Sequence, residues 1–313
     1  MRINLGIIGP GNIASIISKE LINLPEINLY AVASRSLERA ESFSKVHGFK
    51  KAYGSYEKLL KDENVDLVYI ATPHSHHYEH MMLCLSYNKN IICEKAFTLN
   101  QKEAEKVLSV AKQKHIFVTE AMCTAYQPSQ KALKNMLPLI GEIKSCNLIF
   151  GVPLMHVERV VRKELGGGAL LDLGVYPLYF TFSTFGKDFE IVDASIKLYE
   201  DIDEEVKLAL LYKNGIKVNM QISVSQNLGY YCNIIGSKGR IYIENFGMPK
   251  EIIIFDTNDN LIKIENNFQN GYKYEFLASI NALKNNQVET KEMPHQDTLF
   301  LMGLIDKIKE YKD

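Results

Sequence analysis

Three side chains of this 313-residue chain have the types and settings that proton chemistry asks for: Lys95, Asp172 and Tyr176. Lys95 follows an apolar run directly, in "CEKAF". A lysine there is costly to desolvate unless it meets an acid, a substrate oxygen or a cofactor hydroxyl. Asp172 and Tyr176 lie four residues apart in "GGGALLDLGVYP" (166–177), an apolar helix-like run behind three glycines. Buried polar groups need hydrogen-bonding partners, and an (i, i+4) pair shares a helical face. The residues by themselves favour the plainer reading of Tyr176, a packed ring with its hydroxyl at the surface.

The first half has the elements to position such groups. Apolar runs at Ile3–Ile8, Leu29–Ala33, Val65–Ala71, Asn90–Cys93 and Ile116–Thr119 read as strands. Helical patterns separate them at Asn12–Leu24, Leu37–His47, Tyr78–Tyr87 and Gln101–Lys114. Strands apolar throughout, alternating with amphipathic helices, predict a doubly wound parallel sheet of Rossmann type, an α/β fold. In such sheets ligands bind beyond the carboxyl ends of the strands, where both Lys95 and "ATPHSHH" (71–77) fall.

The first turn reads "GPGNIA". Gly9 allows a tight turn, Gly11 allows a pyrophosphate close approach, and Ala14 lets the helix pack on its strand. The backbone at Asn12 and Ile13 then opens a helix N-terminus toward the phosphate. This context, strand before and helix after, marks a dinucleotide site. At the end of the second strand, "ASRS" offers Ser34, Arg35 and Ser36 where NAD-binding versions usually carry an acid. A guanidinium flanked by hydroxyls suits a 2′-phosphate, so NADP(H) is the expected cofactor, with NAD(H) tolerated as the alternative. His74, His76, His77 and His80 show no third ligand at metal-binding spacing, and no metal is expected.

From about Ala121 the alternation fades. A helix is expected at Pro128–Leu137 and strands at Ile143–Phe150, Ile191–Leu198, Glu205–Tyr212, Lys217–Ser223, Tyr231–Ile235, Arg240–Glu244 and Glu251–Phe255. Asn214-Gly215 and Ser237-Lys238-Gly239 read as hairpin turns. Helices at Tyr274–Leu283 and Thr298–Tyr311 close the chain. The expected organisation is a dinucleotide-binding domain over 1–121 and a substrate-binding and dimerisation domain over 122–313. The second is α+β with a large, open, mostly antiparallel sheet, and its last helix is expected to pack back near the first domain. One sheet face needs a partner, so a homodimer or higher homo-oligomer through that sheet is expected.

Composition excludes other classes. Net charge is −1 and lysines are scattered among acids, which leaves no basic surface for nucleic acid. No apolar run approaches the ~20 residues of a membrane span. Five widely spaced cysteines without a CxxC pair read as buried thiols in a reducing cytoplasm.

Taken in order, "GIIGPGNIA", "ASR", "ATPHSHH", "CEKAFTLN" and "GGGALLDLGVYP" resemble the Gfo/Idh/MocA oxidoreductases, and within them the dimeric dihydrodiol dehydrogenase branch. That resemblance implies an NADP-dependent enzyme acting on a small molecule, a trans-dihydrodiol or a pentose such as D-xylose. It assigns Lys95 to the family's Glu-Lys-Pro motif, touching substrate and nicotinamide ribose and lowering the pKa of the proton-transferring group, with Glu94 as its acidic neighbour. Thr72, Pro73, His74 and His77 match the family's Thr-Pro-Asn-x-x-His stretch at the cofactor, with His74 in place of asparagine. Asp172 matches a substrate-orienting aspartate, and Tyr176 the branch's catalytic tyrosine, where most of the family carries histidine. Arg159 matches an arginine ahead of the triple glycine, at the substrate. Ala96 replaces the motif's proline. The glycines are then expected to let a loop pass close to the nicotinamide. Alternatives that keep these residues are a sugar or inositol dehydrogenase and a keto-sugar reductase. A non-catalytic NAD(P)-sensing regulator is the alternative from another class.

Overall fold

The computed structural model describes residues 2–311. In chain order the first half contains β1 (Ile3–Ile8), α1 (Asn12–Leu21), β2 (Ile27–Ala33), α2 (Leu37–His47), β3 (Lys51–Tyr53) and α3 (Tyr56–Leu60). Then come β4 (Leu67–Ile70), α4 (His77–Ser86), β5 (Asn90–Glu94), α5 (Gln101–Lys114) and β6 (Val118–Ala121). Every strand pair is parallel, in the order β3-β2-β1-β4-β5-β6. The order reverses between β1 and β4, so the turn carrying Gly9 and the exit carrying Thr72 lie side by side at the switch point.

Two elements of this unit escaped the sequence. β3 is a short edge strand with no buried residue, and α3 is one short helix started by the Ser55 side chain, which accepts from Lys58 N. Neither buries a run long enough to show a period. By contrast α2 has the bounds its sequence predicts, because both ends are chemically marked. The Ser36 side chain accepts from Arg39 N, and Gly48 ends the helix at φ +76°.

The second half contains α6 (Cys123–Tyr126), α7 (Pro128–Met136), β7 (Ile143–Gly151), α8 (Glu158–Val161) and α9 (Val175–Phe185). There follow β8 (Phe189–Tyr199), β9 (Ile202–Tyr212), β10 (Lys217–Ser223), β11 (Gly229–Gly236), β12 (Gly239–Glu244), β13 (Ile252–Asp256) and β14 (Leu261–Glu265). Helices α10 (Lys273–Lys284) and α11 (His295–Lys309) end the chain. The eight strands run β14-β13-β12-β11-β7-β10-β9-β8, all antiparallel neighbours except the parallel pair β7–β10.

Register explains which face is inside. Leu210, Val218, Cys146, Ile234, Ile241 and Ile254 are aligned across six strands, and none is more than 1% exposed. Each such side chain contributes about 1.5–3 kcal/mol by burial. The next rows on that face, Leu208–Met220–Leu148–Cys232–Ile243 and Val206–Ile222–Phe150, are buried as well. β14 went unread because nearly all its residues are exposed.

Contacts group the residues up to Met122 with Tyr272–Gly303, and Cys123–Gly271 with those from Leu304 on. The stretch Tyr272–Gly303, expected in the second domain, is thus part of the first unit. The reason is packing: Phe276, Ile280 and Ala282 join the core cluster of Ile3, Leu5, Ile17 and Tyr69. The Glu20 carboxylate accepts from Tyr272 N and Lys273 N at the start of α10 (3.1 and 3.0 Å). All five cysteines are buried, and none is in a disulfide. Among the described residues no helix is long and apolar enough to cross a membrane, and no three His, Cys, Asp or Glu side chains are grouped to hold a metal ion.

Candidate active site

In the first unit the glycine turn has the shape its sequence predicts. Gly9 sits at φ +93°, and a Cβ there would lie 2.8 Å from Thr72 Cγ2 and 2.9 Å from the Ala71 carbonyl oxygen. Only glycine fits. Gly11 is the N-cap of α1 and contributes no side-chain cap. A Cβ on Gly11 would meet nothing within 4 Å, so open space lies over the helix N-terminus beside Asn12 and Ile13, and a phosphate fits there.

The hydroxyls of "ASRS" organise the loop. Ser34 Oγ accepts from Ser36 N (3.3 Å) and Ser36 Oγ accepts from Arg39 N (3.3 Å); each keeps its own proton to donate. Arg35 is exposed. Arg39, which no sequence motif marks, lines a cleft of ≈ 490 Å³ with Pro10, Gly11 and Asn12. Arg35 stands two residues before α2, and Arg39 lies in its first turn.

At the exits of β4 and β5 the histidines divide. His77 is fully buried, with Nδ1 2.8 Å from the Ala96 carbonyl and Nε2 2.8 Å from the Thr72 carbonyl. A neutral ring can donate only one of these bonds, and burial lowers the pKa of His77 to about 4 against the raising effect of both carbonyls. His77 lies between the Thr72 and Ala96 carbonyls and, when neutral, donates to one of them; its side chain is fully buried. His74 is also buried, edge-on to His77. His80 bonds Thr72 Oγ1 through Nδ1 (3.0 Å). Lys95 is half-buried, and the peptide linking it to Ala96 is cis. Glu94 accepts a hydrogen bond from the Tyr69 hydroxyl, deep in the sheet.

The second unit holds Arg159, Asp172 and Tyr176. Gly167 and Gly168 are closely packed there. A Cβ on Gly167 would come 2.4 Å from the Val160 carbonyl, and one on Gly168 would come 2.3 Å from Asp203 Oδ1. Gly168 N donates to the Val160 carbonyl (2.9 Å) and Leu170 N to Asp203 Oδ2 (2.6 Å). The helix expected next begins as a π turn, Leu170–Gly174, and becomes the α-helix α9 at Val175. Pro177, which has no N–H to give back to Leu173, stands three residues into α9, and a widened turn lets the helix pass it. π turns concentrate at functional positions.

Asp172 lies inside this turn, 2% exposed, and accepts from Arg159 Nη1 of α8. The Arg159 side chain remains 44% exposed. Tyr176 is partly exposed, with its ring 5.9 Å and edge-on from Phe150. Phe150 stacks on Tyr230 at 3.8 Å and an interplanar angle of 7°. This aromatic wall was not found in the sequence: Phe150 and Tyr230 are far apart along the chain and meet only as register partners of β7 and β11.

Residues 3–122 match the model of the oxidoreductase family with an NAD-binding Rossmann fold, and residues 138–242 match the GFO/IDH/MocA C-terminal domain. The chain belongs to the Gfo/Idh/MocA oxidoreductase family. Its first unit is a nicotinamide-dinucleotide-binding Rossmann domain, and the protein is an oxidoreductase. It is 30% identical to human trans-1,2-dihydrobenzene-1,2-diol dehydrogenase, over 99% of this chain and 97% of that one. The mouse protein of the same name is 35% identical, over 81% of this chain and 78% of its own length. Among solved structures, a 3-ketoreductase from Actinomadura kijaniata, in complex with TDP-benzene and NADP, superimposes with a TM-score of 0.90. It is 25% identical, covering 100% of this chain and 98% of that one.

Proposed function

We propose that this family member is an NADP(H)-dependent oxidoreductase that moves hydride to or from a hydroxyl-bearing carbon of a ring diol or sugar. Tyr176 carries the proton. The observation that supports this best is the setting of Tyr176: a phenol at the start of α9, following a π turn that holds the Arg159–Asp172 pair, and bordered by Phe150 and Tyr230. Aromatic faces attract the C–H faces and apolar edges of ring substrates, while Asp172 and Arg159 offer an acceptor and donors for hydroxyls.

When bound, the nicotinamide supplies the hydride acceptor or donor. The residues supply the rest. Oxidation requires a base for the hydroxyl proton, and a phenol with an ordinary pKa of about 10 becomes one when an ammonium favours its phenolate. We assign that ammonium to Lys95 and the orientation of the substrate to Asp172. Arg35 and Arg39, with Ser34, would hold the 2′-phosphate that separates NADP from NAD; the Actinomadura ketoreductase is in complex with NADP. That same neighbour favours a second reading, reduction of a keto sugar by the same residues.

Dimerisation through the second unit's sheet belongs to this proposal. The face opposite the core carries Leu211 (39% exposed) and Ile235 (36% exposed) in one row with Lys217 and Ser145, a mixed surface of the kind that pairs with a second copy. The cytoplasm is the compartment that suits buried cysteines outside any disulfide. The deciding experiment is Tyr176→Phe: turnover of trans-1,2-dihydrobenzene-1,2-diol should fall about 100-fold or more with NADPH binding intact. A fall below about tenfold would place the proton transfer elsewhere.

A further inference from the structure

The turn that follows Lys95 is fixed from inside the fold. Ala96 and Phe97 are fully buried. The Ala96 carbonyl accepts from or faces His77 Nδ1 at 2.8 Å, and Phe97 N donates to Glu120 Oε1 at 3.2 Å. Glu120 stands on β6 beside Cys93 of β5 and is 1% exposed. Its other oxygen, Oε2, accepts from Thr298 Oγ1 of α11 at 3.0 Å. One buried carboxyl thus joins the β5 exit to a helix from the far end of the sequence.

We propose that Glu120 is a positioning residue for Lys95: its carboxyl clamps the turn after Lys95 to Thr298 and so sets where the ammonium stands during the reaction. The proposal rests on the reading of Lys95 given above. Cys93, Glu94 and Lys95, from β5 and its exit, interact electrostatically with Glu120. α11 turns the Thr298 hydroxyl toward it, while His295 of that helix is engaged with the Val118 carbonyl. Burial raises the pKa of Glu120 to about 7, opposed by the bonds from Thr298 and Phe97 and by the charge of Lys95, and assisted by Glu94. The ionised carboxylate accepts the Phe97 N–H more strongly than the neutral acid does. The clamp therefore tightens, and turnover rises, as pH passes upward through about 7.

Glu120→Gln keeps an acceptor for Phe97 N and a donor for Thr298 but does not titrate; Glu120→Ala removes the clamp. The assay is NADP-linked oxidation of trans-1,2-dihydrobenzene-1,2-diol by the full chain from about pH 5.5 to 9.5, with NADPH affinity read by fluorescence and Lys95→Ala as reference. Glu120→Ala should lower kcat about tenfold or more, with NADPH affinity within about threefold of wild type. Glu120→Gln should lose the inflection near neutrality and hold kcat near the wild type's low-pH level, above that of Glu120→Ala. An inflection that persists unshifted in Glu120→Gln overturns the proposal, even where Glu120→Ala does not fold. So does an unchanged kcat in Glu120→Ala when Lys95→Ala abolishes turnover. Wild-type turnover in Lys95→Ala would instead sink the reading of Lys95 itself, and this proposal with it.

Discussion

Replacing Gly168 by alanine strikes the support of the π turn without touching Asp172 or Tyr176. At φ +113° any L side chain is strained, at a cost of about 1–3 kcal/mol. The new Cβ would also fall 2.3 Å from Asp203 Oδ1, so the aspartate must move and release Leu170 N, now 2.6 Å from its other oxygen. Loss of a hydrogen bond to a charged group costs about 1.5–3 kcal/mol. The two effects together should weaken this region by roughly 2.5–6 kcal/mol. Gly215→Ala is the control: φ is +88° there, and a Cβ meets nothing within 4 Å, leaving strain of about 1–2 kcal/mol alone. Asp203→Ala removes the bond without the strain. Hydrogen exchange in a urea series, read on peptides covering residues 166–177, measures the loss locally and does not require the whole chain to unfold in one step. The order of damage should be Gly168→Ala, then Asp203→Ala, then no local effect for Gly215→Ala. Equal protection of this segment in Gly168→Ala and Gly215→Ala would refute the packing argument.

Four further outcomes are expected. Arg35→Ala should weaken NADPH binding about tenfold and leave NADH binding nearly unchanged; an unchanged preference in a fluorescence titration removes the 2′-phosphate argument. His77 and His80 are each held near pKa 4, chiefly by burial, against about 6.5 in the unfolded chain. The unfolded state thus binds more protons, so their stabilising contribution is whole above pH 6.5 and is lost as pH falls toward 4. The urea midpoint should drop between about pH 7 and 5, and His80→Gln should shrink the drop. Phe150→Leu removes the ring that faces Tyr176 and should raise KM for ring diols by several-fold, about 1 kcal/mol, with little change for NADPH. Ile235→Lys with Leu211→Lys should convert a dimer to monomers by light scattering without loss of fold; a monomeric wild type would refute assembly through this face.

The parallel sheet was legible because its strands other than the edge strand β3 are buried on both faces and largely apolar, with amphipathic helices between them. Leu37–His47 and Gln101–Lys114 could be bounded to the residue because capping is local chemistry: Ser36 and Gly48 mark one, and Asn100, accepting from Glu103 N, marks the start of the other. β3, α3 and β14 left no mark, since short or exposed elements owe their existence to neighbours. The same limit applies to the candidate site. Lys95, Asp172 and Tyr176 stand out as polar residues in apolar runs, and Gly9 and Gly11 as a turn with a purpose. Arg39, Glu120 and the Phe150–Tyr230 stack do not, because nothing near them in sequence says what they meet.

The sequence by itself determined the alternating architecture, the dinucleotide turn and the residue types available for proton transfer. These depend on periodicity and on local backbone chemistry, which a linear pattern carries. Tertiary structure alone decided that Tyr272–Gly303 packs into the first unit's core. It also turned His77 inward between two carbonyls, brought Arg159 onto Asp172 and used the glycines for contact with Val160 and Asp203. Each of these rests on a contact between distant segments, whose free energy comes from burial and pairing that exist only once the chain has folded.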